Sequence, residues 1–417
     1  MKLLYTLTAY PPFWGGAQLL MHRTACELLN VHDVRVVAQW ETPRSDWLLG
    51  TTLNAPRETI EYDVDGVPVR RIGVPASAHG ALRPWVYGYW AAQGEAIERI
   101  SVVLADRFVD LAASADLIHN CRIGREPLTA ASLALARRRD IPFVLSPVHH
   151  PRWGTWLHRH YHKLYRQADA VIALSAGERD QLLALGVDER RIAVTGMGPV
   201  LAEQGDGAAF RAAHNLGPNP LVLFVGQKYA YKGVGAVLQA ARRVWARVPE
   251  ARFVFIGRST PETARLFRDL DPRILDLGVV DLQTKTDAYA ACDLFCLPST
   301  QESFGGVYTE AWSLGKPVIG ADAPSVRDVI ADGVDGYLSV PKAEPLAEHI
   351  LHLIDAPGLR AEMGEAGRRK VAARYTWPRL AARTLEVYRE VLGGRVAAET
   401  VAVRAAPVEP SVPERCA

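Results

Sequence analysis

Short apolar runs recur along most of this chain, separated by stretches whose apolar residues follow the spacing of one helix face. This alternation is typical of βαβ units, and therefore of parallel sheets covered by helices. The predicted strands are 2–8, 34–38, 117–119, 143–148, 168–174, 192–195, 221–225, 252–256, 275–280, 293–297, 317–319 and 337–340. The predicted helices are 17–30, a stretch within 82–110, 127–139, 176–185, 234–247, 307–314, 345–355, 359–375 and 377–392.

The alternating pattern runs through the chain twice, which predicts two α/β domains. A length of 417 residues also exceeds what one hydrophobic core ordinarily supports. We place the first domain at residues 1–198 and the second at 199–376, with a polar spacer at 203–207 after the boundary. A separate helix is predicted at 377–393. Residues 394–417 are small and rich in Pro and Ala, and they are predicted to form a disordered tail.

One stretch departs from the parallel pattern. Residues 58–72 alternate on either side of Asp65 and Gly66, and an Asp-Gly pair between two alternating runs is a strong hairpin signal. Together with Asp63, this turn also imitates an Asp-x-Asp metal motif. We interpret the aspartates as turn residues, because they stand where the hairpin has to reverse.

Composition narrows the class of protein. Apolar residues make up 49% and charged residues 23%, as in a soluble globular enzyme, and a net charge of +2 gives no general attraction to nucleic acid. No apolar run is long enough to span a bilayer, and the first ten residues are interpreted as a strand and not as a signal peptide. The scattered cysteines predict reduced thiols in a cytoplasm. They are Cys26, Cys121, Cys292, Cys296 and Cys416.

Two glycines stand where an apolar run changes into a helical pattern in the second half. The run at 293–297 ends at Pro298, and a short polar loop leads to Gly305 and Gly306, which precede the helix. The free N–H groups and the dipole at a helix start favour an anion. This turn is therefore a candidate phosphate site.

Two carboxylates frame the glycine turn. Glu302 lies in the loop before it, and Glu310 lies within about the first turn of the helix after it. A glutamate in a first helical turn has a plain structural explanation in the helix dipole. A carboxylate is also an acceptor-only group that can hold two vicinal hydroxyls. The pair predicts a pocket with ribose on one side and a sugar on the other.

Two further loops suggest contact with a phosphate. Residues 10–16 contain Gly15 and Gly16, which form either a plain tight turn or a close approach to a ligand. The loop lacks the Gly-x-Gly-x-x-Gly fingerprint, which counts against a dinucleotide oxidoreductase. Lys228 and Lys232 precede the first helix of the second domain. Lysine at a helix start opposes the dipole, and a bound anion is the natural reason for it.

Histidines follow the strand predicted at 143–148. His149 and His150 stand just beyond its carboxyl end, where α/β folds place ligands, although loop hydrogen bonds could also account for them. Residues 156–166 are rich in histidine, arginine and aromatic side chains. Three interpretations stay open for this segment: a basic face toward an anionic acceptor or membrane, a solvated helix face, and a zinc site, which is disfavoured because alternate histidines do not share one helix face.

The run from Glu302 to Val318 is similar to the signature of the retaining glycosyltransferases of family 4. In that family a Glu, seven residues and a second Glu flank a glycine turn; Glu302, Glu310, Ala311 and the run Gly315–Val318 stand at the matching positions. The resemblance implies the GT-B architecture, in which two Rossmann-like, doubly wound α/β domains face a cleft and a C-terminal helix crosses back to the N-terminal domain. It also implies that the first domain binds the acceptor and the second the nucleotide sugar.

The resemblance implies roles for individual residues. His149, with His150 as the alternative, would lie near the reacting carbon of the donor sugar, and His149, Glu302 and Lys232 form the candidate catalytic set. Gln227 stands where the family has an arginine, so Lys228 is a candidate substitute for that cation. The candidate donor-binding residues are Gly15, Gly16, Lys228, Lys232, Val280, Glu302, Ser303, Phe304, Gly305, Gly306, Val307 and Glu310.

The expected function is transfer of a sugar from a UDP- or GDP-type nucleotide sugar to an acceptor hydroxyl, with retention of configuration and without a metal or a cofactor. The alternatives are a sugar-nucleotide epimerase or another enzyme on this fold, and a non-catalytic nucleotide-sugar binder. The expected location is the cytoplasm, with peripheral contact at the inner face of the membrane left open.

The acceptor would be bound by residues 10–14, 85–90 and 151–156, but no motif in these segments indicates which acceptor it is. The aromatic side chains of these segments line an acceptor pocket in one interpretation and pack in the core in the other. A secondary metabolite, a lipid-linked glycan and a small polyol all stay open as acceptors.

Overall fold

Two parallel sheets dominate the computed structural model, which describes residues 1–12, 15–39, 47–122 and 124–405. The strands of the first sheet are β1 Lys2–Leu7, β2 Asp33–Ala38, β3 Ile60–Val64, β4 Val67–Arg71, β5 Leu117–Cys121, β6 Phe143–Ser146, β7 Ala170–Ala173 and β8 Ile192–Val194. Those of the second are β9 Leu221–Val225, β10 Arg252–Ile256, β11 Ile274–Gly278, β12 Leu294–Leu297, β13 Val318–Ala321 and β14 Gly336–Ser339. Each strand predicted at a βαβ position is present, with small shifts of its ends.

Helices cover both sheets. Those before the second sheet are α1 Gly16–Leu29, α2 Trp47–Gly50, α3 Ala76–Tyr87, α4 Gln93–Ala105, α5 Val109–Ser114, α6 Pro127–Arg138, α7 Arg159–Gln167, α8 Ala176–Ala184 and α9 Gly207–Ala213. The others are α10 Val234–Trp245, α11 Leu282–Ala291, α12 Gly306–Ser313, α13 Pro324–Arg327, α14 Ala343–Asp355, α15 Pro357–Arg374 and α16 Trp377–Ala405.

The first sheet has the order β3-β4-β2-β1-β5-β6-β7-β8, and all neighbours are parallel except β3 and β4. The chain builds outward from β1 on one side and then returns to add β5 on the other. The point between β1 and β5 is therefore a topological switch point, where the loops after adjacent strands part and leave a crevice.

The second sheet repeats this arrangement with the order β11-β10-β9-β12-β13-β14, entirely in parallel. Its switch point lies between β9 and β12. The strands flanking it are fully buried, as expected for parallel strands covered on both faces. One hydrophobic cluster fills this half, and two clusters lie on the two faces of the first sheet.

The hairpin prediction is confirmed. β3 and β4 pair antiparallel, and the connecting Asp65 and Gly66 both have positive φ, +50° and +82°, the combination of a type I′ turn. Asp63 accepts the Gly66 N–H at 2.8 Å, and Asp65 lies 2.9 Å from the His22 ring. Both aspartates therefore serve the turn and its packing.

Two predictions about helices need correction. The stretch within 82–110 is not one long helix but three, α3 to α5, and the first begins at Ala76. The last helix does not end at 392 or 393, because α16 continues through Gly393-Gly394 to Ala405. A continuous supply of good helix formers such as Ala, Arg and Glu after the two glycines accounts for this. The predicted tail thus starts later, and residues 406–417 lie outside the described part.

The final helix connects the two halves. Trp377 and Leu380 at its start belong to the hydrophobic cluster of the second sheet, whereas Ala381 and Tyr388 belong to a cluster of the first. The Tyr388 hydroxyl lies 2.6 Å from His119 and 2.9 Å from the Tyr5 hydroxyl, all fully buried. No helix within the described ranges is long and apolar enough to cross a membrane.

Candidate functional site

The two switch points face each other. On one side, the loop after β1 carries Gly15 and Gly16, and the loops after β5 and β6 carry Arg122 and His149-His150. On the other side, the loop after β9 carries Lys232, and the loop after β12 carries Glu302. The sequence analysis had identified all of these except Arg122. Parallel topology brings them together, because the carboxyl ends of parallel strands lie at one edge of the sheet.

The two glycine turns approach the same side chain. An ideal Cβ on Gly306 would lie 2.8 Å from the Met197 sulfur, and one on Gly16 would lie 3.8 Å from the Met197 methyl. The starts of α1 and α12 are therefore close across the cleft. Neither helix has a side-chain cap or an acidic residue in its first turn, so both present free backbone N–H groups.

Gly305 has a left-handed backbone with φ of +87° and directly precedes α12. A Cβ at this position would overlap the ring of Tyr308, whose hydroxyl donates to the Leu297 carbonyl at 2.7 Å and holds the ring in place. Glycine is required here both for backbone conformation and for space. The next residues of the turn, Gly306 and Val307, are the first two residues of the helix.

Glu310 is the fifth residue of α12 and not part of its first turn, so the helix dipole explains it less well than expected from sequence. Its side chain is 7% exposed, and one carboxylate oxygen accepts from the Lys285 ammonium at 2.8 Å. The other oxygen is buried and has no hydrogen-bond partner. Lys285 thus orients the carboxylate through one oxygen, and the second oxygen can still accept a hydrogen bond.

Glu302 and Lys232 form an ion pair between the loops after β12 and β9. Glu302 is buried, with 9% of its side chain exposed, and Lys232 keeps 17%. Lys232 ends a short helical turn just before Gly233, whose positive φ of +77° starts α10. A Cβ on Gly233 would lie 2.6 Å from Pro298, so the two loops are packed closely and hold the pair in position.

Lys228 does not fit its predicted role. Its side chain is 0% exposed, its ammonium forms an ion pair with Asp276 on β11, and it lies 4.3 Å from the centroid of the Phe267 ring. An ammonium covered in this way is not accessible to a diphosphate. The physical reason is the chain path after β9, which turns Lys228 toward β11 by pairing its backbone with Arg258 and Ser259.

Two family models match this chain. The model described as Glycosyl transferase 4-like domain matches residues 15–198, and the model described as Glycosyl transferases group 1 matches residues 208–370. This chain belongs to the group 1 glycosyltransferases. The first match covers the half with Gly16 and His149, and the second covers the glycine turn with both carboxylates.

Curated relatives share part of the chain. Alpha-maltose-1-phosphate synthase from Mycolicibacterium smegmatis is 29% identical over 254 residues, which cover 54% of this chain and 64% of the relative. D-inositol 3-phosphate glycosyltransferase 2 from Catenulispora acidiphila is 34% identical over 244 residues, covering 53% of this chain and 56% of the relative. The alignments thus span less than two thirds of the length of each relative.

Solved structures share the whole fold. The crystal structure of HepE from Anabaena in complex with UDP and glucose has a TM-score of 0.72 and 19% identity, and it covers 94% of this chain and all of the other. The two facing Rossmann-like domains therefore have the GT-B fold, as the resemblance implied. At this level of identity the likeness concerns the fold alone.

The predicted donor-binding residues include three others, of which Ser303 and Phe304 directly precede the glycine turn. Ser303 is buried, its hydroxyl has no partner, and its carbonyl accepts from Ser175 of the first domain at 2.8 Å. Phe304 is buried against Tyr375, with ring centroids 5.1 Å apart. Val280 is partly buried just after β11. Their roles in donor binding stay predictions.

The two histidines have different surroundings. His149 is buried, its backbone N–H donates to Glu178, and its ring meets Tyr165 and Trp153 edge-on. His150 contacts Trp153, and Lys232 from the opposite domain is among the charges acting on it. Burial, with nearby cations, lowers the pKa of both imidazoles to about 3, so both are neutral at pH 7.

Glu178 supports the first of these histidines. Both of its oxygens accept backbone N–H groups, from His149 and from Leu174, and burial raises its pKa to about 7 despite those bonds. The sequence analysis did not single out this residue. It is the third residue of α8, at a spacing that gives no functional signal.

Arg122 and Lys285 were also missed. Arg122 directly follows β5, so the rule that drew attention to His149 could have found it. Lys285 lies in the middle of α11 and gave no signal, because only the tertiary structure brings it to Glu310. Phe13 and Trp14, which belong to a segment predicted to bind the acceptor, lie outside the described residues.

The basic segment after Trp156 does not form a metal site in the structure. His158 lies 3.1 Å from Thr155, His160 packs at Gly94, and His162 lies 2.9 Å from the Trp153 carbonyl. Throughout the described ranges there is no group of three or more His, Cys, Asp or Glu side chains that could hold a metal ion. Cys26, Cys121, Cys292 and Cys296 are free thiols, and Cys416 lies outside those ranges.

Proposed function

We propose that this protein transfers a sugar from a nucleoside-diphosphate sugar to an acceptor hydroxyl, with retention of configuration and without a metal or a cofactor. The observation that carries the proposal is the Gly305-Gly306 turn. It places free helix N–H groups opposite Gly16 and beside a glutamate with one unpartnered buried oxygen. This arrangement suits a diphosphate flanked by a ribose.

In the proposed reaction, the bond between the anomeric carbon and the diphosphate oxygen breaks, and a bond to the acceptor oxygen forms on the same face. The acceptor proton leaves with the diphosphate. Lys232 and the N–H groups at the starts of α1 and α12 would stabilise the charge that develops on the leaving group. Glu310 would hold the ribose hydroxyls, and Glu302 would hold a hydroxyl of the donor sugar while fixing Lys232.

We assign the position next to the diphosphate to His150 in preference to His149. His150 lies near the backbone of Gln301 and is influenced by Lys232, both on the nucleotide side of the cleft, whereas the His149 ring is enclosed by Tyr165 and His162. A neutral imidazole can donate one hydrogen bond to a sugar hydroxyl or a phosphate oxygen. His149 would then position the loop through its backbone bond to Glu178.

The donor is proposed to be a UDP sugar, with a GDP sugar as the alternative. The support is that HepE from Anabaena, which shares the fold, was crystallised in complex with UDP and glucose. For the acceptor, the relatives named above include an inositol 3-phosphate glycosyltransferase, which favours a sugar or polyol. A lipid-linked glycan and a secondary metabolite stay open.

The proposal is tested by measuring nucleotide binding with isothermal titration calorimetry. We expect UDP or GDP, but not NAD, to bind the wild type, and Glu310→Gln to lose about 1.5–3 kcal/mol of that affinity, roughly 10- to 100-fold, because a charge-assisted pair of hydrogen bonds is lost. Glu365→Gln, on the exposed face of α15, is the control. Tight NAD binding, or a Glu310 variant that binds as well as the control, would contradict the site.

We further propose peripheral contact with a membrane that carries anionic headgroups. Tyr87, Trp90, Trp156 and Leu157 are all about half exposed or more, and the Gln93 amide donates to the Leu157 carbonyl, which joins the two parts of the patch. Arginines accompany the tryptophans: Arg125 lies 4.7 Å from the Trp90 ring and Arg159 lies 3.6 Å from the Trp156 ring. Aromatic and basic side chains together suit a membrane interface.

Sedimentation with vesicles tests the membrane contact. We expect binding to phosphatidylcholine vesicles only when phosphatidylglycerol is included, and Trp156→Ser to reduce the bound fraction at least twofold. Val334→Ser, at an exposed apolar residue 58% accessible in the other domain, is the matched control. If both variants bind the vesicles equally well, Trp156 does not contact the membrane and the proposed patch is wrong.

A further inference from the structure

Arg122 is a buried cation that the proposed donor site does not use. It is 5% exposed, its Nε is buried without a hydrogen-bond partner, and no ion pair joins it to any residue in the described part of the chain. Its guanidinium carbon lies 3.6 Å from the centroid of the Trp153 ring and 4.3 Å from that of Tyr161. Contacts with aromatic rings recover only part of the cost of burying a charge.

A second arginine lies against the same tryptophan. The Arg152 guanidinium carbon is 4.8 Å from the Trp153 centroid and 5.3 Å from the centroid of Tyr231, which belongs to the opposite domain. Arg152 is exposed, and it too has no ion pair among the residues that the structure describes. Two arginines thus lie against one ring, and Arg152 also reaches the opposite domain at Tyr231.

The nearby carboxylates are committed to other partners. Glu302 is paired with Lys232, Glu178 accepts two backbone N–H groups, and one oxygen of Glu126 accepts the Tyr89 hydroxyl while the other has no hydrogen-bond partner. The neighbouring His149 and His150 are neutral. The acceptor side of the cleft therefore carries two arginines that form no ion pair within the described part of the chain, and Glu178 is close enough for the charge of Arg122 to lower its pKa, against the larger rise that burial causes.

We propose that Arg122 and Arg152 bind a phosphate group of the acceptor. The proposal rests on the proposed transferase function and names its substrate class, a phosphorylated sugar or polyol. Guanidinium groups match the oxygens of phosphate in paired hydrogen bonds, and stacking on Trp153 and Tyr161 fixes the plane of the Arg122 fork. Phosphate could also come from the donor diphosphate, which the experiment separates from the acceptor.

The experiment measures binding of inorganic phosphate to the full chain by calorimetry, with UDP present at saturation and with chloride at equal ionic strength as the reference. We expect one phosphate per chain in addition to UDP. Arg152→Gln and Arg122→Lys should weaken phosphate binding at least tenfold and change the UDP dissociation constant less than threefold. Arg242→Gln, at an exposed arginine of α10, should change neither.

Two outcomes would overturn the assignment. If phosphate does not bind once UDP is bound, and the arginine variants weaken UDP as much as phosphate, the arginines hold the donor diphosphate. If the arginine variants bind phosphate as the wild type does, the site does not exist. Arg152 is exposed, so its variant decides the matter even if Arg122→Lys fails to fold. If the wild type binds no UDP, the donor proposal fails by itself, and the same phosphate titration without UDP still decides the role of the arginines.

Discussion

Two lysines on one loop have opposite environments. The Lys228 ammonium is fully enclosed and paired with Asp276, whereas Lys232 keeps part of its surface at the cleft and is paired with Glu302. Removing a buried partner of an ion pair leaves an uncompensated charge and costs stability. Removing a cation that a ligand uses costs binding. Replacing Lys228 should therefore lower stability, whereas replacing Lys232 should weaken ligand binding.

We expect Lys228→Met to lower the free energy of unfolding by about 3 kcal/mol and to leave UDP affinity of the folded protein nearly unchanged. Lys232→Met should do the reverse, with UDP affinity reduced about 10- to 100-fold and a smaller change in stability, because a charge-assisted contact to phosphate is worth about 1.5–3 kcal/mol. Urea unfolding and calorimetry on both variants check this. If Lys228→Met alone abolished UDP binding without loss of stability, Lys228 would be a nucleotide-binding residue and not a structural one.

At the scale of the element, the turn into α12 depends on backbone conformation as well as on space. Gly305 has positive φ, and its neighbour Tyr308 is held by a buried hydrogen bond. Gly315, at the other end of the same helix, also has positive φ of +67°, but a Cβ there would meet nothing within 4 Å. Substitutions at Gly305 and Gly315 therefore separate the cost of backbone strain from the cost of steric overlap.

We expect Gly315→Ala to cost about 1 kcal/mol of stability, the lower end of the range for a residue forced into the left-handed region, with UDP binding preserved. Gly305→Ala should cost about 2–3 kcal/mol more, as for overpacking of a core, and should weaken UDP binding because the N–H groups at the start of α12 shift. Thermal unfolding and calorimetry measure both. Equal losses from the two variants would show that Tyr308 yields easily.

At the scale of the whole molecule, α16 is the element that joins both halves. Its first turn packs with the second sheet, and Tyr388 inserts its hydroxyl between Tyr5 and His119 under the first. Trp377 also donates to the Pro199 carbonyl at 2.7 Å, where the chain passes between the domains. The helix therefore restricts how far the two sides of the cleft can move apart.

We expect Tyr388→Phe to lower the free energy of unfolding by about 1–3 kcal/mol, because His119 and Tyr5 lose a buried hydrogen-bond partner. Tyr87→Phe, at a tyrosine 75% exposed, should be neutral. Urea unfolding of both variants gives the difference. A Tyr388→Phe variant as stable as Tyr87→Phe would mean that water or a rearranged pair satisfies the two groups.

Local features were determined by the sequence alone. The alternation of apolar runs and helical patterns fixed nearly every strand, because fully buried parallel strands must be continuously apolar. The Asp65-Gly66 hairpin and the Gly305-Gly306 turn were predicted because glycine and aspartate are the residues that those backbone conformations need. The helix end at 392 was predicted too early, because glycines weaken a helix without necessarily ending it.

Only the tertiary structure decided which of the charged residues share the cleft. The sequence predicts the same role for Lys228 and Lys232, but the chain path after β9 buries Lys228 and leaves Lys232 partly exposed at the cleft. Lys285 reaches Glu310 from another helix, and Arg122 meets Trp153 from another loop. Such pairs depend on strand order, which brings β1 beside β5 across more than a hundred residues of chain. Hydrophobic periodicity records which face of an element is buried, and it carries no information about the partner that covers that face.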